Sequence, residues 1–214
     1  MSHPAISPHD RLVIRRLGRD ELPADTVALA RFLVGRTLVR ETEEGRLSGR
    51  IIETEAYPVG DSSSHAYRGE TRRNRSMFLE RGHAYVYIAY GCWPVLNVAS
   101  EARDIGAGVL LRALEPLEGI DAMGANRNGA RLQDLARGPG RLAAALRIGL
   151  RHDGNDLCGP GALWLGSAAR EPDEIPRGII ATTRIGITKE AGRPLRFLER
   201  GNRLVSGPRS ALNS

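Results

Sequence analysis

Two glutamates lie two residues apart in Ile51-Ile52-Glu53-Thr54-Glu55-Ala56-Tyr57. Alternate residues of an extended strand share a face, so Glu53, Glu55 and Tyr57 are expected to point the same way at the end of an apolar run. A carboxylate beside an aromatic suits proton abstraction from water or stabilisation of developing positive charge. An ordinary half-exposed sheet face with two solvated glutamates gives the same pattern. An acid and base pair acting across a sugar bond fits less well. Residues two apart on a strand are about 7 Å apart and parallel, rather than flanking a bond.

A second cluster is aromatic. Tyr85-Val86-Tyr87-Ile88-Ala89-Tyr90-Gly91-Cys92-Trp93-Pro94 holds three of the five tyrosines and one of the two tryptophans. Tyr85 and Tyr87 share one strand parity and Val86 and Ile88 the other, which predicts one aromatic face and one core face. Gly91 permits a tight turn and Pro94 cannot donate to a central ladder, so a hairpin tip is expected over 90–94. Tyr90 and Trp93 would stand near its apex, where exposed aromatics call for a partner, unless the cluster fills a core. Asn97 brings an amide back beside the aromatic face, and His65 stands in a Ser-rich loop upstream.

These residues need a scaffold. Asp25 predicts a helix N-cap, with a helix running to Leu33 and closed by Gly35. Strands are expected over 36–40, 49–57, 84–89, 95–100, 107–114, 178–187 and 194–197, and helices over 117–126 and 139–148. The pattern supports a single α+β domain over 11–206, with flexible tails at 1–10 and 207–214. The chain has 214 residues, and its 25 Gly and 12 Pro make it rich in loops.

Net charge is +6, unevenly spread. Between His65 and Tyr85 five arginines face two glutamates, net +3, and between Arg127 and Arg151 six arginines face one aspartate, net +5. The remainder is therefore net −2, and such segregation favours a face for a polyanion over simple solubility. Arg72, Arg73, Arg75 and Arg141 are the phosphate candidates. Cys92 and Cys158 form neither a CxxC pair nor a disulfide framework, and the five histidines lack metal-ligand spacing, so neither metal nor cofactor is expected. No apolar run reaches membrane-helix length and no signal sequence opens the chain, which predicts a cytoplasmic protein. Lys189 is the only lysine, which leaves amine-based covalent catalysis almost no candidate.

The motifs 49–57, Arg73-Asn74-Arg75-Ser76-Met77-Phe78, 85–91, Val109-Leu110-Leu111-Arg112-Ala113-Leu114-Glu115-Pro116, Gly138-Pro139-Gly140-Arg141-Leu142 and Pro194-Leu195-Arg196-Phe197 together resemble the alkyladenine (3-methyladenine) DNA glycosylase family. The resemblance spans about residues 20 to 200, in order. It implies a curved antiparallel sheet, flanking helices and a protruding hairpin that inserts into DNA. It implies that Glu55 is the catalytic carboxylate, with Arg112 beside it and the attacking water. Tyr57, His65, Tyr87 and Asn97 would form the base pocket, and Tyr90 would fill the gap left by a flipped nucleotide. The partner would be double-stranded DNA containing alkylated or otherwise damaged purines, and the protein a monomer, nucleoid-associated if bacterial. The reaction would be monofunctional hydrolysis without a lyase step. Cys92-Trp93 departs from the family pattern at the hairpin tip.

Overall fold

The strand that carries both glutamates has no free face: residues 51–56 are all buried. A computed structural model describes residues 12–168 and 178–207. This strand, β3 (Gly45–Tyr57), is central in a nine-stranded antiparallel sheet that also contains β1 (Ile14–Arg16), β2 (Thr37–Thr42), β4 (Ala84–Ala89), β5 (Trp93–Ala99), β6 (Gly108–Glu118), β7 (Leu163–Ala168), β8 (Ile179–Thr182) and β9 (Arg196–Glu199). The order is β1-β7-β2-β3-β6-β5-β4, and β9 joins β3 while carrying β8 on its far side. One edge of β3 pairs along its length with β6; the other pairs first with β2 and then, over residues 53–55, with β9. The expected tails lie outside the described residues, Gly207 apart.

Three helices, α1 (Thr26–Leu33), α2 (Ile120–Asn126) and α3 (Pro139–Ala145), pack on the sheet. Asp25 caps α1, accepting a hydrogen bond from the Ala28 N–H at 2.7 Å. Gly35, at φ 90°, turns the chain after it. Leu29, Ala30 and Leu33 of α1 are fully buried in the main core, where each leucine contributes about 1.5–3 kcal/mol. The Thr54 hydroxyl donates to the Ala30 carbonyl at 2.8 Å, tying α1 to β3.

Alternation breaks in two places along β3 and β6: Leu117 is skipped between the Ser48–Glu118 and Gly49–Pro116 pairs, and a second irregularity lies beside the glutamates. Ile51 pairs with Leu114, Glu53 with Ala113 and Thr54 with Leu111, so Ile52 and Arg112 are each skipped by the opposite strand. Such bulges change which way neighbouring side chains point. Ile52 packs with Ala113, Leu198 and Val205, while its neighbour Glu53 bonds Ser206.

Several boundaries differ from expectation. Residues 117 and 118 continue β6, because Glu118 pairs with Ser48, and α2 starts only after Gly119 at φ 70°. Helix α3 stops at Ala145, ahead of Arg147 at φ 52°. The β8 strand is short, and residues 183–187 leave the sheet. Pro94 lies within β5 opposite Ile88, and the tip is residues 90–92. Pro94 is tolerated there because β6 pairs with β5 only through residues 97–99. The outer part of the β4–β5 hairpin is thus paired only with itself. Strands β1 and β7 were not anticipated.

Candidate functional site

Glu55 is fully buried, held by two hydrogen-bond donors and one ion pair. The Ile185 backbone N–H reaches Oε1 at 2.8 Å, Arg112 Nη1 lies 3.2 Å from the same oxygen, and the Tyr57 hydroxyl donates to Oε2 at 2.9 Å. Tyr57 stays protonated, because burial and then the adjacent Glu55 carboxylate push its pKa far up. The reading of two solvated glutamates is overturned, since Glu53 is also fully buried.

Glu53 accepts from Arg112 Nε at 3.0 Å, Arg196 Nε at 2.6 Å, Ser206 Oγ at 2.9 Å and the Ser206 backbone N–H at 2.5 Å. Arg112 therefore touches both carboxylates. Burial pulls its pKa down, but Glu55 and Glu53 outweigh that and the net shift is up. Glu53 is fully buried with both oxygens engaged by Arg112, Arg196 and Ser206 and lines neither cavity beside Tyr57, which does not suit the second member of an acid and base pair.

Tyr57 also borders two cavities. The smaller, of about 190 Å³, is lined by Tyr57, His65, Tyr85, Tyr87 and Asn97 among others. His65 meets the Tyr87 ring edge-on at a centroid distance of 4.4 Å, and its Nδ1 lies 2.9 Å from the Tyr85 hydroxyl. Burial first, then the Arg73 charge, lower the His65 pKa, so the imidazole is neutral at neutral pH. Asn97 Nδ2 donates to the Tyr85 carbonyl at 3.3 Å. The expected parity holds: Val86 lies in the main core, and Tyr85 and Tyr87 stack on the other face.

The larger cavity, of about 600 Å³, shares Tyr57 and Tyr87 and adds Tyr90, Trp93, Arg112, Ile185 and three arginines, Arg127, Arg137 and Arg141. Glu55 lies behind Tyr57, Arg112 and Ile185 in its wall. Tyr90 is 89% exposed and Trp93 47%. The space above Gly140 is filled by Trp93, whose Cβ lies 3.2 Å from where a Cβ there would stand. Trp93 is thus partly docked on α3, while Tyr90 is the more exposed of the two, its hydroxyl reaching toward Gly186. Tyr90 and Gly91 have φ values of 49° and 76°, a turn conformation that a tyrosine adopts at a cost.

The arginine candidates separate. Arg141 lines the larger cavity and pairs with Asp134 at 3.2 Å. Arg73 donates to the Ile88 carbonyl at 3.4 Å, beside the hairpin. Arg72 is exposed. Arg75 opens on a different hollow with Glu70, Ser76, Asp104 and Asp153.

Four participants escaped the sequence reading. Arg196 and Ser206 bind Glu53, the Ile185 N–H binds Glu55, and Arg184 lies 2.7 Å from Asp61 with both side chains fully buried. The Arg184 guanidinium also lies 4.6 Å from the Tyr57 ring centroid. The local sequence carries one weak hint, an arginine directly before Ile185-Gly186. Among the described residues no group of three or more His, Cys, Asp or Glu is arranged to hold a metal ion, and no helix is long and apolar enough to cross a membrane.

Residues 20–203 match the methylpurine-DNA glycosylase (MPG) family. A protein of Mesorhizobium japonicum named for 3-methyladenine DNA glycosylase activity is 61% identical over 194 residues, 91% of each chain. One of Paraburkholderia phytofirmans with the same name is 54% identical over 94% of this chain and 93% of its own. One of Methanoculleus marisnigri, named likewise, is 47% identical over 85% and 94%.

Proposed function

The chain belongs to the methylpurine-DNA glycosylase family, and on that premise we propose that it flips alkylated purines, such as 3-methyladenine and 7-methylguanine, out of duplex DNA and hydrolyses their N-glycosidic bonds. A base within a stacked duplex hides the bond to be cut, so the nucleotide must be extruded, at a cost of a few kcal/mol that is smaller for a damaged base. Tyr90 enters the vacated space, as wedge residues do. Its greater exposure at the tip, against a Trp93 packed on Gly140, favours it for that role.

The extruded base stacks among Tyr57, His65 and Tyr87, with Asn97 at its edge. A purine alkylated at N3 or N7 is cationic, and each well-formed contact with a tyrosine face attracts it by about 0.5–2 kcal/mol. A neutral His65 adds no repelling charge. Water approaches Glu55 at Oε2, taking over or sharing the place of the Tyr57 hydroxyl, and gives up its proton as it attacks C1′. Arg112 and the Ile185 N–H keep the carboxylate aimed, and Glu55 offsets the positive charge that develops on the sugar. The purine leaves with its bonding electron pair. The DNA backbone runs past Arg141, with Arg72, Arg73 and Arg75 as further contacts. Hydrolysis by water needs no amine, and Lys189, the sole lysine, is not among the residues lining either cavity. Strand cleavage is therefore not part of the reaction.

The observation that carries this reading is a buried carboxylate held at Oε1 by a guanidinium and a backbone amide, directly behind a tyrosine that walls an aromatic cavity. The test incubates the protein with a duplex bearing one 7-methylguanine. Release of free 7-methylguanine with both strands intact is expected. Intact 7-methylguanine, or a cut strand, contradicts the proposal.

A further inference from the structure

An arginine facing a carboxylate commonly donates through two nitrogens in a parallel fork. Arg112 does not do this with Glu55. It offers Nη1 alone, 3.2 Å from Oε1. Its Nε is taken by Glu53 at 3.0 Å, and its Nη2 by Ser206 Oγ at 3.1 Å. Glu53 is itself pinned by Arg196 and by two donors of Ser206. The paired bulges that skip Ile52 and Arg112 are what turn Arg112 and Glu53 toward the same buried place.

We propose that Glu53, acting with Ser206, is a positioning residue for the hydrolysis proposed above: it holds Arg112 in a one-nitrogen contact with Glu55 and so keeps Oε2 of Glu55 for water. The logic is one of competition. A guanidinium released from Glu53 keeps only the Ser206 hydroxyl, 3.3 Å from Nε and 3.1 Å from Nη2, and the nearest carboxylate that can engage a second nitrogen is Glu55. A forked Arg112 would then occupy both Glu55 oxygens, and the proton acceptor would be lost without any change in the residues that stack the base. The charges of Glu55, Arg112, Glu53 and Arg196 also alternate and sum to zero. Glu53 is thereby the counter-charge that lets two arginines sit beneath the site. The segment around Ser206, outside every motif quoted above and 153 residues from Glu53, becomes part of the site through this contact.

The inference rests on the base-excision reading, so single-turnover release of 7-methylguanine is measured first for the unaltered enzyme, and then for Glu53→Gln, Ser206→Ala, Arg112→Met and the double variants with Arg112→Met. All are assayed at a temperature where each is folded. Glu53→Gln is expected to slow release by about tenfold or more, and Ser206→Ala by about threefold, while affinity for the alkylated duplex stays within about twofold. Neither change should slow Arg112→Met further by more than about twofold, because both act through Arg112. Losses that multiply independently of Arg112 overturn the proposal, as does a loss of affinity in step with the loss of rate. If Glu53→Gln does not fold, the Ser206→Ala cycle decides alone. No release by the unaltered enzyme would sink the base-excision reading and this inference with it. Release with an additive cycle would sink only the positioning role.

Discussion

The phenolic hydroxyl of Tyr57 donates a 2.9 Å hydrogen bond to Oε2 of Glu55, two residues back on the same strand, so the residue that walls the cavity also holds the carboxylate proposed as proton acceptor. A base stacking on Tyr57 and a water reaching Glu55 therefore meet at one side chain. Ring and hydroxyl can be separated by mutation. Tyr57→Phe keeps the stacking surface and removes one hydrogen bond to a charged group, worth about 1.5–3 kcal/mol of stability. Its denaturation midpoint is expected to fall while excision stays within about tenfold of the unaltered rate. Tyr57→Ala also removes the ring, and excision should fall by a further factor on the order of ten to a hundred. Equal excision rates for the two variants would show that the ring is not a stacking surface.

Arg184 and Asp61 form a pair with no exposed side-chain surface, next to the Ile185 N–H that binds Glu55. Asp61 stays ionised: burial raises its pKa, but bonds from Ser63 and Arg184 outweigh this and lower it. Arg184→Met leaves the buried Asp61 carboxylate with Ser63 at one oxygen and only the more distant Arg193, at 3.9 Å, as counter-charge. The expected loss is about 3–5 kcal/mol in denaturant unfolding, as for other broken buried pairs. A loss below about 1 kcal/mol, the range of surface pairs, would contradict the described burial.

How much of this was legible in the sequence depends on range. Helix α1 was readable because Asp25 and Gly35 mark its ends locally. The split of Tyr85 and Tyr87 from Val86 was readable because parity along one strand is local too. Glu55 and Arg112 came from motif resemblance, but their contact did not follow from alternation, since the paired bulges reset the parity at Ile52 and Arg112. The role of Glu53 has no local signature either: its partners Arg196 and Ser206 arrive from more than a hundred residues away. The Ile185 contribution is a backbone N–H, which has no side-chain signature at all. Strands β1 and β7 are short or edge-paired, and their stability comes from the long-range partners Leu38, Val39 and Gly166 rather than from their own sequences.

His65 supplies a pH prediction. Its pKa is lowered by burial and by Arg73, so in the folded protein it takes up a proton only below the ordinary histidine value of about 6.5. Where the unfolded chain binds more protons than the folded one, stability rises with pH. Stability is thus expected to drop as pH falls from about 6.5, with no contribution from His65 above that value. Binding of a cationic 7-methylguanine should weaken over the same acid range, because the protonated ring repels it. His65→Gln should flatten that weakening. An unchanged acid limb in His65→Gln would remove His65 from the pocket.

Tyr90 and Trp93 share a hairpin but differ in exposure, 89% for Tyr90 against 47% for Trp93, which packs on Gly140. Tyr90→Ala should reduce excision from duplex DNA by about tenfold and leave excision from a single strand within about twofold, since a single strand needs no replacement in the stack. A duplex-specific defect confined to Trp93→Ala would transfer the wedge role. The absence of one in both variants would sink it.

The central claim is that one carboxylate, Glu55, activates the water. It is tested most directly by measuring 7-methylguanine release and duplex affinity together for Glu55→Gln. The amide keeps the shape and removes the proton acceptor, so release is expected to fall by about a hundredfold or more, in the range general-base catalysis supplies, with affinity for the alkylated duplex retained. Release within a few-fold of the unaltered rate, from a folded variant that binds normally, would contradict the account.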